Sequence, residues 1–298
     1  MSKRVLIFLT CLILLQTEGF SQQYFFRKYS VEEGLPQSSV YCLLQDSRGY
    51  IWMGTDGGGL ARFDGHKFEA FNKSNGLSDN VVRSLFEDKK GNIWIGTDDG
   101  LTLYDGYKFV PIGKKQGLKG TAVMKIIEGN NGTIWVGTND GGLAGLTKGD
   151  SLSIINYSKD DGLISNFVFD IYEDPEKKLW LGMVGGLNIV EFENGSSKKI
   201  KNVNRLDITS GSVTNVLSIE PDRKGTIWLG TLGNGLFKVM LSADKKSYTI
   251  EPSLVNKVIP DLQIWDIFSK ENDELWMATN NDGVIRLKYG KVIGIFNK

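Results

Sequence analysis

Six times along the chain, a short apolar run holding a tryptophan falls between clusters of Gly, Asp, Asn and Lys. The runs are Ile51-Trp52-Met53, Ile93-Trp94-Ile95, Ile134-Trp135-Val136, Leu179-Trp180-Leu181, Ile227-Trp228-Leu229 and Leu275-Trp276-Met277. Successive tryptophans are 42, 41, 45, 48 and 48 residues apart. A self-similar period of this size marks a repeat architecture. Around Trp94 the unit reads as four runs: Val81 to Asp88, Ile93 to Thr97, Leu101 to Tyr104, and Lys108 to Val110. Turn residues separate them, which is the signal for consecutive antiparallel strands; they are labelled a, b, c and d. Strand b is apolar on both faces, whereas a half-exposed strand would alternate. Each small sheet must therefore be covered on both sides by its neighbours. The arrangement that does so is an all-β propeller of four-stranded antiparallel blades, with each tryptophan wedged between blades.

Glycine recurs at two fixed places. Gly54, Gly96, Gly137, Gly182 and Gly230 close strand b, where a side chain is expected to obstruct a neighbouring backbone; the sixth copy has Ala278 there. Gly59, Gly100, Gly142, Gly186, Gly235 and Gly283 sit in the b–c turn, where a positive φ is expected.

Residues 1–21 have the pattern of a secretory signal peptide: Lys3 and Arg4, the apolar run Val5 to Leu15, then Gly19 and Ser21. That run is too short to span about 30 Å of hydrocarbon, so a membrane anchor is the weaker reading. Residues 22–298 are then one propeller in an exported, periplasmic or secreted chain. Phe26-Arg27-Lys28-Tyr29 before Glu33-Gly34-Leu35 matches Phe68-Glu69-Ala70-Phe71 before Asn75-Gly76-Leu77. The chain thus opens on a d strand and also ends on a d-like strand, Lys291 to Phe296. That is one d strand too many for six blades, and the count fits an incomplete seven-bladed ring; a six-bladed ring with one redundant strand is the competing explanation. The Ser-, Lys- and Asn-rich stretch from Glu191 to Gly211 is the least repeat-like and is expected to form a longer surface loop.

The motif Gly-x-Ile-Trp-x-Gly-Thr, with Asn75-Gly76-Leu77-Ser78-Asp79-Asn80 upstream and Tyr104-Asp105-Gly106 downstream, resembles the two-component regulator propeller repeat. The opening Tyr29-Ser30-Val31-Glu32-Glu33-Gly34-Leu35-Pro36 is similar to the start of such sensors in Bacteroidetes. The resemblance implies the periplasmic propeller of a two-component or hybrid histidine kinase receptor, many of which respond to polysaccharide breakdown products. It also implies that any kinase activity lies outside this chain, which would act by binding, with an oligosaccharide or other small ligand, or a second propeller, as partner. The alternatives are a secreted scaffold without signalling output and a carbohydrate-active enzyme.

Composition removes several other classes. The chain has 35 basic and 35 acidic residues, so bulk charge does not draw it to nucleic acid or anionic lipid. After the leader, no apolar run reaches 18 residues, so no membrane insertion is encoded by these residues. Cys42 is the single cysteine outside the leader and reads as a buried strand residue; His66, the single histidine, reads as a solvated turn residue. Asp46, Asp88, Asp174 and Asp222 precede the turn into strand b, as in the Asp-box turn of sialidase-like propellers, and turn chemistry accounts for them. The acidic b–c turns could suit calcium, but Asp-x-Asp-x-Asp-Gly spacing is lacking. No catalytic pair, metal site or cofactor is singled out. The d–a loops and b–c turns are expected to ring one end of the channel and to offer polar groups to a ligand: Asn80, Asp98, Asn139, Asn166, Asn215 and Gln263, with Trp265 as the one unusual aromatic. Against this stands the plainer reading, in which such residues cap turns and Trp265 is core.

Overall fold

A computed structural model describes residues 27–149, 151–193, 200–206, 214–241, 248–271 and 273–297; the expected leader lies outside them. Alternation of apolar runs with Gly- and Asp-rich turns produces six four-stranded antiparallel meanders, each with its strands in sequence order. Blade 1 comprises Val40–Gln45 (β1), Ile51–Thr55 (β2), Leu60–Phe63 (β3) and Phe68–Phe71 (β4). Blade 2 comprises Val82–Glu87 (β5), Ile93–Thr97 (β6), Gly100–Tyr104 (β7) and Phe109–Ile112 (β8). Blade 3 comprises Val123–Glu128 (β9), Ile134–Thr138 (β10), Leu143–Lys148 (β11) and Leu152–Tyr157 (β12). Blade 4 comprises Val168–Glu173 (β13), Leu179–Met183 (β14), Gly186–Phe192 (β15) and Ile200–Leu206 (β16). Blade 5 comprises Val216–Pro221 (β17), Ile227–Thr231 (β18), Leu236–Leu241 (β19) and Tyr248–Pro252 (β20). Blade 6 comprises Ile264–Lys270 (β21), Glu274–Thr279 (β22), Val284–Lys288 (β23) and Lys291–Phe296 (β24).

The first strands pack in succession, β1 on β5, β5 on β9, β9 on β13, β13 on β17 and β17 on β21, and so line the common axis. Each tryptophan points at the blade that follows. Trp52 is buried against Val82, Ile93 and Ile95, and Trp94 against Val123, Ile126 and Val136. Trp135 and Trp180 repeat this on blades 4 and 5, and the half-buried Trp228 packs on Ile264, Ile267 and Met277. The strand-b glycines let the blades approach. A Cβ on Gly54 would lie 2.6 Å from Val82 Cγ1 and 2.8 Å from Val82 O, and one on Gly182 would lie 2.9 Å from Val216 O. The b–c turn glycines adopt the expected positive φ, from 69° at Gly283 to 139° at Gly186.

Among the described residues, blades 1 and 6 are packed by a neighbouring blade on one side only. Val82, Val123, Val168, Val216 and Ile264 are fully buried against the preceding blade, while their counterpart Val40 is 36% exposed. Ala278 is exposed on the far face of blade 6, and Trp276 is only half-buried, stacked on Phe296 of its own blade at 5.6 Å. No seventh sheet forms among the described residues.

One expectation is corrected within the described residues: of the d-like Phe26-Arg27-Lys28-Tyr29, Phe26 lies outside them, and residues 27–30 lie in no strand. A d strand needs a c strand beside it, and β23 of blade 6 already pairs with β24; Tyr29 instead packs edge-on to Phe63 at 5.1 Å and Phe68 at 5.7 Å. Within Glu191 to Gly211, expected to carry a longer surface loop, Ile200–Leu206 pairs with β15 and completes blade 4, while residues 194–199 and 207–211 lie outside the described residues. The pairing partner overrides a composition that reads as coil.

Candidate functional site

The scaffold spends its turn aspartates on the tryptophans. Asp46 Oδ1 accepts from the N–H groups of Arg48 and Tyr50, closing the a–b turn, while Oδ2 accepts the buried indole N–H of Trp52 at 2.9 Å. Asp88–Trp94, Asp174–Trp180 and Asp222–Trp228 repeat the lock at 2.9, 2.9 and 3.0 Å. Burial, the largest single influence, pushes the Asp46 and Asp88 carboxyls upward. The donors around each together outweigh it, and both are held below the ordinary value of 3.8. Blade 3 has Gly129 in that place, and the Trp135 indole N–H is buried without an acceptor among the described residues. Blade 6 has Lys270, and Trp276 donates to Glu274 instead at 2.7 Å.

Most of the polar residues expected at the rim are likewise engaged by the chain itself. The loops and turns do share one end of the molecule, stitched by Gly59 N–H to Asn80 O, Gly142 N–H to Asn166 O and Gly235 N–H to Leu262 O. Asn80 Oδ1 and Asn166 Oδ1 accept from Lys73 N and Lys159 N at 2.9 Å, capping the short turns there. Asn139 Oδ1 accepts from Ala122 N, and Asn215 Oδ1 from Gly185 N. Gln263 receives Asn280 N–H on its carbonyl. Asp98 is different: it forms a two-pronged ion pair with Arg83, whose guanidinium lies 5.2 Å above the Tyr41 ring. Asp98 also holds the Arg83 guanidinium more firmly protonated, against the pull of burial.

Arg83, Tyr41 and Trp265 share a register position on their inner strands. In every inner strand one residue is skipped by the ladder: Tyr41, Arg83, Met124, Phe169, Leu217 and Trp265. Each is eleven residues before the tryptophan of its blade. A bulge of this kind re-aims a side chain and is common beside binding sites. Trp265 is therefore neither core nor loop; it is half-exposed at a bulge on β21. Burial, then a hydrogen bond to Asp56, raises the Tyr41 hydroxyl.

The next position along the same strands carries Cys42, Ser84, Lys125, Asp170, Ser218 and Asp266, each opposite the closing residue of strand b. Lys125 Nζ reaches Asp170 Oδ1 at 2.8 Å, and Asp170 also accepts Ile219 N–H at 2.7 Å. Asp170 is the main cause holding the Lys125 ammonium charged, with Asp266 and Glu220 adding to it. Glu220 and Asp266 are raised chiefly by burial. The inner strands thus carry an Arg83–Tyr41 contact at the bulge position and, one residue on, a charged group around Lys125 and Asp170. A nucleophile–base pair is not built here: burial pushes the Cys42 thiol up to about 12, and His66 is exposed in the turn between β3 and β4. No group of metal-ligating side chains occurs among the described residues.

Sequence alone singled out Trp265 but not its five counterparts. The signal was present as a column of dissimilar residues, eleven before each tryptophan, in an otherwise constant repeat.

The molecule is thus a propeller of tryptophan-anchored blades whose inner strands carry a different residue at each bulge. Residues 34–57, 76–99, 117–140, 162–185 and 210–233 match the family model Two component regulator propeller. The chain belongs to the family of proteins built from these repeats. Comparison with curated proteins gave no significant match. Among solved structures it is similar to the extracellular domain of the putative hybrid two component system BT4673 from B. thetaiotaomicron, at 22% identity and a TM-score of 0.66 over 87% of this chain and 36% of that one. PorZ, a surface component of the type-IX secretion system of Porphyromonas gingivalis, matches at 17% identity and a TM-score of 0.68 over 92% of this chain and 43% of that one. Virginiamycin B lyase from Staphylococcus aureus matches at 16% and 0.66 over 87% of this chain and 84% of that one. At such identities the likeness is one of fold. The chain spans well under half the length of the first two. No helix among the described residues is long and apolar enough to cross a membrane.

Proposed function

We propose that this chain is the exported sensory propeller of a two-component type receptor, and that it binds a ligand at the channel mouth without transforming it. The observation that carries this reading is the bulge column: one register position varies from aromatic to cationic to aliphatic while the scaffold around it repeats. An asymmetric ligand needs such variation, and the scaffold does not. The family match and the extracellular two-component neighbour support the sensory and exported parts. Tyr41 and Trp265 offer ring faces and Arg83 a charged donor, a combination suited to stacking on and hydrogen-bonding an oligosaccharide.

Residues 22–298 should be screened by thermal shift against neutral and acidic oligosaccharides. A raised midpoint with at least one of them, lost in Trp265→Ala while the apo midpoint stays within a few degrees, is the expected result. Glycan turnover by the purified chain, abolished by removing one channel carboxylate, would replace binding with catalysis as the function.

A further inference from the structure

A second register position, four residues after each tryptophan, stands beside the bulge column. It carries Asp56, Asp98, Asn139, Val184, Leu232 and Asn280. In all six blades its N–H donates to the carbonyl of the residue two before the bulge: Ser39, Val81, Ala122, Phe167, Asn215 and Gln263. The b–c turn is thereby tied to the head of the inner strand, so each blade presents one turn residue and one bulge residue at the same end.

The two columns sort by polarity around the ring. On blades 1 and 2 they are polar: Arg83 is held by both oxygens of Asp98 and lies over the Tyr41 ring, whose hydroxyl is bonded to Asp56. Val81 joins these groups, bridging to Asp56 and accepting Asp98 N–H on its carbonyl. On blades 4 and 5 the columns are apolar. Phe169 stacks on Phe167 at 4.2 Å, and Val184 and Leu232 are 36% and 38% exposed. Asn215 joins these turns, accepting Gly185 N–H on its side chain at 3.0 Å and Leu232 N–H on its carbonyl. The turn itself gives no reason for a valine or a leucine, because the same main-chain bond forms in the four blades that have Asp or Asn there, residues that turns favour.

We propose that the ligand is amphiphilic: a neutral saccharide carrying an apolar aryl or acyl group, with the sugar on the arc of blades 1 and 2 and the apolar group on the arc of blades 4 and 5. This rests on the saccharide reading above and adds the apolar substituent to it. Asp56 and Asp98 are already engaged, so the first arc offers hydrogen-bonding edges to hydroxyls rather than a free charge. The second arc gains by being covered, and its stacked phenylalanines suit a flat ring. One small ligand can reach both, because the ring is narrow: Lys125 on blade 3 feels the carboxylates of Glu220 and Asp266 on blades 5 and 6.

Equilibrium titrations should compare the methyl and phenyl glycosides of glucose, galactose, mannose and xylose. For at least one sugar the phenyl glycoside is expected to bind about tenfold more tightly than the methyl glycoside. The double variant Val184→Asn with Leu232→Asn should bring the two glycosides of that sugar to equal affinity. Blades 3 and 6 carry asparagine at this position, so the turn accepts it. Arg83→Ala should weaken both glycosides alike. Equal binding of methyl and phenyl glycosides by the unaltered chain would overturn the apolar arc and leave the saccharide reading standing. A phenyl advantage that survives the double variant would place the apolar group elsewhere and overturn the inference. Phenol binding as tightly as the phenyl glycosides, or no binding by any glycoside, would overturn the inference together with the saccharide reading.

Discussion

At the scale of single residues, the aspartate six positions before the tryptophan couples turn and core. Its backbone-capping role could be read from its place before a Gly-containing turn. Its second role could not, because a separation of six residues has no meaning until the hairpin folds the carboxylate onto the ring. Asp174→Ala leaves the Trp180 indole buried without an acceptor, the state in which Trp135 already stands. The expected loss is about 1–3 kcal/mol in urea denaturation. A pH dependence follows for Asp88. Its folded-state value lies below the ordinary 3.8, so its stabilising contribution is fully present above about pH 4 and is lost as pH falls through the depressed value. Wild type and Asp88→Asn should therefore differ most in thermal midpoint at neutral pH, with the gap narrowing as pH falls below about 4. A gap that widens on acidification would be the wrong sign.

At the scale of elements, the strand-b glycine shows how far sequence reading reached. Close backbone approach was inferred from its recurrence, and the Ala278 exception was left without a reason. The structure supplies one: glycine is needed where the next blade presses on it, and alanine is allowed on a face against which no described residue packs. Gly182→Ala is expected to cost about 1–3 kcal/mol, since Val216 O must move. Ala278→Gly should cost no more than about 1 kcal/mol, from backbone freedom alone. Equal losses in denaturant titrations of the two would refute the packing explanation. The bulges were invisible for a related reason. All six inner strands contain one, so it changes neither the period nor the apolar pattern. The ladder alone reveals that Tyr41, Arg83 and Trp265 occupy one position.

For the whole molecule, the period, the strand order and the shared coverage of the sheets were legible because six copies constrain each other. Residues 27–30 of the d-like opening form no strand, since pairing depends on a partner that sequence similarity does not provide. The rim was legible as a place, and less so as a chemistry. Asn80, Asn139, Asn166 and Asn215 hold the loops together, and the proposed recognition therefore rests on the bulge positions instead.

That division of labour is tested most directly by equilibrium titration of one binding oligosaccharide against two arginine variants. Arg83→Ala alters the channel mouth; Arg62→Ala alters an outer strand, where Arg62 pairs with Glu69. The account predicts at least about tenfold weaker binding for the first, the scale of one lost charge-assisted hydrogen bond, and an unchanged Kd for the second. Unchanged affinity in Arg83→Ala with weakened affinity in Arg62→Ala would place recognition on the outside of the propeller and contradict it.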